Sequence, residues 1–125
     1  MKVLIVDDSS ATRFMIRKML KELGCDVVEA ENGKVALETL SSNKDVEVAF
    51  VDWNMPVMNG YELIQEVRKD AEYNNMKLMM VTTETEMTQV VKAIEAGANE
   101  YLMKPFTKEM VVEKMALLGI EGAVQ

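Results

Sequence analysis

Four apolar segments of this chain end in groups that can do polar chemistry. Leu4-Ile5-Val6 runs into Asp7-Asp8, and Val46-Glu47-Val48-Ala49-Phe50-Val51 runs into Asp52. Met79-Met80-Val81 runs into Thr82-Thr83, and Tyr101-Leu102-Met103 runs into Lys104-Pro105. Three ionised carboxylates gathered in one cleft repel one another, so Asp7, Asp8 and Asp52 make chemical sense around a hard divalent cation. An all-oxygen set of carboxylates, a backbone carbonyl and water suits Mg²⁺, which keeps coordination positions open for phosphate oxygens. Asp52 then reads as a nucleophile, because carboxylates form acyl-phosphates in phosphotransfer proteins. Thr82 offers a hydroxyl to one phosphoryl oxygen, and Lys104 offers a compact positive charge to another. Each residue taken alone has a plainer explanation as a turn, cap or loop residue. Their recurrence at the ends of alternate elements is what the plain explanation does not supply.

Strand-like and helix-like segments alternate to position these groups. Residues 2–6 are a short apolar run with the composition of a strand covered on both faces. Ser9 or Ser10 can cap a helix carrying Thr12, Ile16, Leu20 and Leu23 at helical spacing, with Gly24 as its stop. Val27-Val28 is a second strand, and Asn32-Gly33 turns into a helix with Val35, Ala36 and Leu40. Residues 46–52 form the third strand. A helix with Leu63, Ile64 and Val67 follows the loop from Pro56 to Gly60. The fourth strand spans about residues 77–81, and the fourth helix holds Met87, Val90, Val91 and Ile94 and ends at Gly97. The fifth strand spans about residues 100–103. Thr107 caps the last helix, which carries Met110, Val111, Met115 and Leu118. Five β/α units with short connections predict a doubly wound α/β fold with helices on both faces of a parallel sheet. In such sheets ligands sit beyond the carboxyl ends of the strands, where the strand order reverses. In a 2-1-3-4-5 order strands one and three are neighbours, and Asp7, Asp8 and Asp52 converge.

Composition narrows the function classes. At 125 residues the chain reads as one domain, residues 1–125. Its formal charge of −7, without a basic stripe, argues against nucleic acid as a direct partner. The absence of histidine excludes His-based triads and most zinc sites. The single cysteine, Cys25, has no partner for an internal disulfide and reads as a small apolar residue near a strand in a reducing compartment. No apolar run reaches bilayer length, and Met1-Lys2-Val3 leads straight into a strand rather than a signal peptide, so a soluble cytoplasmic protein is expected. The twelve methionines read as core filling.

Asp7-Asp8 with Ser9-Ser10, the block Asp52-Trp53-Asn54-Met55-Pro56 with Met58-Asn59-Gly60, Thr82, Tyr101 and Lys104-Pro105-Phe106 together resemble the receiver domain of bacterial response regulators. The resemblance covers essentially the whole chain and is strongest to the single-domain chemotaxis type. It implies a flavodoxin-like sheet in the order 2-1-3-4-5, which spacing alone does not dictate. It further implies that Asp52 accepts a phosphoryl group from the phosphohistidine of a histidine kinase. Asp8, Asp52 and the main-chain carbonyl of Asn54 would ligate Mg²⁺ directly, with Asp7 acting through water. Lys104 would pair with Asp52 and then with the phosphate, and a cis Lys104–Pro105 bond is implied. Thr82 and Tyr101 would be the switch residues, Tyr101 turning inward as Thr82 moves to the phosphate.

In similar proteins the output surface is helix four, strand five and helix five, which here includes Val90, Ile94, Tyr101, Met103 and Lys114. Periodicity cannot divide core from surface in that helix, because Met87, Val90, Val91 and Ile94 make too wide a stripe. Asn54 and Glu84 occupy positions that tune phosphate lifetime, and polar side chains there predict a short-lived aspartyl phosphate. Glu84-Thr85-Glu86-Met87 departs from the basic start of helix four in many chemotaxis receivers, and Thr12 and Phe14 depart from the family near the usual kinase-docking surface. These departures bear on partner identity rather than on the phosphorylation chemistry.

A monomeric, stand-alone switch is therefore expected, read by a protein partner. The flagellar motor switch leads as that partner, and a phosphatase is a further candidate. A phosphorelay intermediate or a phosphate sink is the alternative. The chain is not expected to be a conventional enzyme, although it assists its own phosphorylation and dephosphorylation. A haloacid-dehalogenase-type phosphatase wants a second Asp where Asn54 stands. A flavin carrier wants a Ser/Thr-rich phosphate loop where Asp7-Asp8 would repel the ligand.

Overall fold

The computed structural model describes residues 1–83 and 88–120. Five strands form one parallel sheet in the order β2-β1-β3-β4-β5: β1 Lys2–Val6, β2 Asp26–Ala30, β3 Val46–Asp52, β4 Lys77–Thr82 and β5 Glu100–Met103. The helices α1 Ser10–Glu22, α2 Gly33–Ser42, α3 Gly60–Lys69, α4 Val90–Ala96 and α5 Lys108–Leu117 alternate with the strands, and a short 3₁₀ turn, Ala71–Tyr73, precedes β4. The fold is thus the expected doubly wound α/β sheet.

Successive side chains of a strand point to opposite faces, and both faces here are apolar. Val3 and Ile5 join Val48, Phe50, Met79 and Val81 in a core closed by Ile16 and Leu20 of α1 and Val111 and Met115 of α5. Leu4 and Val6 join Ala49, Val51, Leu78 and Met80 in a second core closed by α2, α3 and Ala93 of α4. Met79, Met80 and Met115 are fully buried, in keeping with methionine as core filling. Cys25 lies in the first core beside the start of β2.

The helix starts follow side-chain chemistry. Ser9 accepts a hydrogen bond from the Thr12 N–H, Asn32 from Val35 and Thr107 from Met110, each satisfying an otherwise orphaned first-turn donor. Ser9, not Ser10, is therefore the cap of α1. Asn59 and Glu62 form a reciprocal capping box at the start of α3, a device the sequence reading did not pick out. Gly60 follows that cap because no larger residue fits. A Cβ there would collide with the Asp52 carbonyl oxygen. The α3 entry is thereby pressed against the end of β3.

Helix α4 has the division between core and surface that periodicity leaves open. Met87 lies outside the described residues, and the helix as described begins at Val90. Its buried residue is Ala93, whereas Val91 is 64% and Ile94 43% exposed. The wide apolar stripe is therefore divided: Ala93 faces the sheet, Val90 packs at the edge of the core, and Val91 and Ile94 face outward. On α5, Met110 is likewise exposed, and Val111 and Met115 take the core positions.

Candidate functional site

The carboxyl ends of β1, β3, β4 and β5 bring their terminal groups together. Asp7 follows β1 and is 2% exposed, Asp52 ends β3 and is 6% exposed, and Thr82 ends β4 fully buried. Buried carboxylates are costly unless paired and hydrogen-bonded. Lys104, just after β5, meets that need: its Nζ lies 3.2 Å from Asp7 Oδ2 and 3.2 Å from Asp52 Oδ1. The Lys104 main-chain N–H donates to the Thr82 carbonyl at 2.7 Å, and the Lys104–Pro105 bond is cis. Burial by itself would lower the Lys104 pKa. The charges of Asp52 and Asp7 and its hydrogen bonds to both outweigh burial, and the net shift is upward. Lys104 is thus a fixed cation at neutral pH.

Asp7 is held at every polar atom. Its N–H donates to the Ala30 carbonyl at 3.1 Å, its Oδ1 accepts from the Ser9 N–H at 2.9 Å, and its carbonyl accepts from Arg13 Nη1. Arg13 Nε in turn donates to Glu29 Oε1 at 3.1 Å, and Arg17 Nη1 to Glu29 Oε2 at 2.6 Å. Sequence reasoning did not single out Arg13, Arg17 or Glu29. Nothing in their spacing distinguishes them from an ordinary solvated helix face and strand.

Asp8 is exposed beside this buried pair. Oxygen atoms of Asp7, Asp8 and Asp52 all lie within 4.8 Å of one another, close enough for one ion to touch all three. The donor set is purely carboxylate, one member faces solvent, and one ammonium is set against three carboxylates. These properties fit a hard, partly hydrated divalent cation rather than a soft one.

The remaining residues named from the sequence lie around this centre. Asn54 is exposed two residues beyond Asp52, on the loop leading to Gly60. Trp53 is half-buried, its ring tilted against Tyr61 at 5.7 Å between centroids. Tyr101 of β5 packs at the edge of the α2/α3/α4 core, and the Lys114 ammonium lies 4.2 Å from its ring centroid. Lys114 also pairs with Glu100 at 3.1 Å. Val90 packs against the same core as Tyr101, Met103 ends β5 half-buried, and Ile94 faces outward. Glu84 lies outside the described residues, as do Thr85 and Glu86. Phe14 is exposed on α1, with the Arg17 guanidinium 5.3 Å from its ring. Among the described residues, no helix is long and apolar enough to cross a membrane.

Comparison with known proteins agrees with this arrangement. The family model described as the response regulator receiver domain matches residues 3–116. The chain belongs to that family. It is 48% identical to a chemotaxis protein CheY homolog of Campylobacter jejuni over 130 aligned residues, covering all of both chains. It is 44% identical to chemotaxis protein CheY1 of Helicobacter pylori, covering 94% of this chain and 96% of that one. Among solved structures, chemotaxis protein CheY4 of Vibrio cholerae superposes with a TM-score of 0.86 at 34% identity, covering 94% of this chain and 97% of that one.

Proposed function

We propose that this chain is a chemotaxis response regulator whose Asp52 accepts a phosphoryl group from the phosphohistidine of a histidine kinase. The observation that carries the reading is the buried Asp7–Lys104–Asp52 bridge with Asp8 beside it, all at the carboxyl ends of the strands. Asp7, Asp8, Asp52 and the Asn54 carbonyl would hold Mg²⁺, which supplies charge neutralisation for the three carboxylates and for the incoming phosphoryl oxygens.

In the transfer, an Asp52 carboxylate oxygen forms the new P–O bond as the P–N bond of the donor imidazole breaks. Such a reaction depends chiefly on positioning and charge. Lys104 is already placed 3.2 Å from Asp52, and it passes from neutralising the carboxylate to neutralising the phosphoryl group. Thr82 ends the neighbouring strand, and its hydroxyl is the group suited to a second phosphoryl oxygen. Because Thr82 is fully buried and its strand end leads into the segment before α4, drawing it inward couples the site to that helix.

The output face of this reading is α4, β5 and α5. Val91 and Ile94 already lie outward there, and Tyr101 reports the switch beneath Lys114. The names of the CheY relatives favour a partner in chemotaxis, and the flagellar motor switch is that partner in our reading. The reaction is the chain's own phosphorylation and its reversal in the cytoplasm, rather than turnover of an external substrate. Exposed Asn54 beside the acceptor favours a short-lived aspartyl phosphate.

Trp53 is the chain's only tryptophan and adjoins Asp52. Its emission is expected to change on adding Mg²⁺ and again on adding beryllofluoride. Asp52→Asn should abolish the second response. Retention of that response in Asp52→Asn would overturn the reading. A phosphate that persists for many hours in the isolated protein would contradict the short lifetime.

A further inference from the structure

Asp7 and Asp8 sit on a loop of three residues between the end of β1 and the start of α1. A peptide unit is planar, so the Asp7 carbonyl and the Asp8 nitrogen move together. Whatever grips the Asp7 carbonyl therefore sets the direction in which the Asp8 side chain leaves the loop. Arg13 Nη1 donates to that carbonyl, from one turn into α1. The grip is itself anchored, since Arg13 Nε donates to Glu29 on β2 and Arg17 holds the other Glu29 oxygen. Glu29 pairs in register with Ile5 of β1, so the anchor stands on the same sheet that carries Asp7.

Resting on the phosphoacceptor reading above, we propose that Arg13 is a positioning residue for the metal-binding carboxylates. It fixes the Asp7–Asp8 peptide plane and so presents Asp8 to an ion shared with Asp7 and Asp52. Arginine suits this task because its planar fork reaches two acceptors at once. A lysine ammonium at the end of a flexible stem has no such fixed second arm. Glu29 is shared with Arg17, so it offsets only part of the Arg13 charge, and the arginine aids a cation by orientation against a residual repulsion.

A purely electrostatic role predicts the opposite sign, which makes the assignment testable. If Arg13 acted only through its charge, it would repel a divalent cation. Arg13→Gln would then tighten Mg²⁺ binding, and Arg13→Lys would leave it unchanged. Positioning predicts that both variants weaken it, by about tenfold, the lower end of what loss of an outer-shell partner costs a metal site. The measurement is a Mg²⁺ titration of Trp53 emission for the wild type, Arg13→Gln, Arg13→Lys and Asp52→Asn, with urea unfolding in EDTA run alongside. The expected result is weaker Mg²⁺ binding in both Arg13 variants that still unfold cooperatively. Wild-type or tighter affinity in Arg13→Lys overturns the proposal, and that variant keeps the test open should Arg13→Gln fail to fold. A wild type whose emission ignores both Mg²⁺ and beryllofluoride would instead remove the phosphoacceptor reading, and this proposal with it.

Discussion

The two ends of the sheet handle buried charge in opposite ways. At the carboxyl end, Asp7 and Asp52 are buried around one ammonium, with Asp8 a few ångströms away. At the amino end the partly buried cation is Arg68, and its partners are neutral. It donates to the carbonyls of Gly97, Tyr73 and Met76 at 3.0, 2.7 and 2.8 Å, and to Asn99 Oδ1 at 2.8 Å. Asn99 Oδ1 also accepts from the Leu78 N–H, so one guanidinium ties the end of α3, the 3₁₀ turn, the start of β4 and the α4–β5 turn together. Other charges there form ion pairs with at least one exposed partner, Lys2–Asp45 and Lys44–Glu72 among them, of the kind that contribute little. The amino end is thus satisfied from within, whereas the carboxyl end leaves an excess of negative charge that a ligand can complete. Stability is built at one end, and the chemistry proposed above falls at the other.

Removing Arg68 tests that division most severely. Arg68→Ala leaves three backbone carbonyls and Asn99 without their shared donor, and a cost of about 3 kcal/mol follows from the loss of several charge-assisted hydrogen bonds. The urea midpoint should fall accordingly. The Mg²⁺ response of Trp53 should survive in whatever fraction remains folded. If instead stability is unchanged and the Mg²⁺ response is lost, the two ends are not separable in this way.

Asp8→Asn should do the reverse. It takes one negative charge from a crowded cluster, so in EDTA the protein should gain on the order of 0.5 kcal/mol, as expected for relief of like-charge repulsion at an exposed position. The same change should weaken Mg²⁺ binding strongly in the Trp53 titration. A variant that is less stable in EDTA would mean that Asp8 serves the fold rather than the ion.

The carboxyl end was far more legible in the sequence than the amino end. Asp52, Thr82 and Lys104 interrupt apolar runs, and polar residues at the ends of buried strands stand out against their neighbours. Asn32 and Thr107 were readable as a turn and a cap because short polar side chains before a helix have few other uses. Arg68 and Arg13 gave no such signal. A basic residue in the last turn of α3 looks like an ordinary complement to the helix dipole, and one in the first turns of α1 looks solvated. What makes them matter is which carbonyls the fold brings within reach. Helix α4 stayed undivided for a related reason: Val91 and Ile94 have core composition but outward positions, and hydrophobicity alone does not separate a core from an interaction surface.

The smallest effect sharpens the contrast from the amino end. Cys25, just before β2, is a lone thiol in an apolar core. Burial raises its pKa above the ordinary thiol value, with a further push from Asp26 and Glu47 and an opposing pull from the Met1 amino group. In the unfolded chain the thiol ionises near pH 8.5. Below that value both states hold the proton and the full stability is present. Between that value and the raised folded one, the unfolded chain alone has lost it, so stability falls as pH rises, by at most about 1.4 kcal/mol per pH unit. Cys25→Ala removes this dependence. Urea midpoints at about pH 7 and about pH 9.5 should therefore diverge less in the variant than in the wild type. Equal losses in both would show that the amino-end core does not keep its one titratable thiol neutral. Burial would then act differently on a lone group at the amino end and on the Lys104-bridged carboxylates at the carboxyl end.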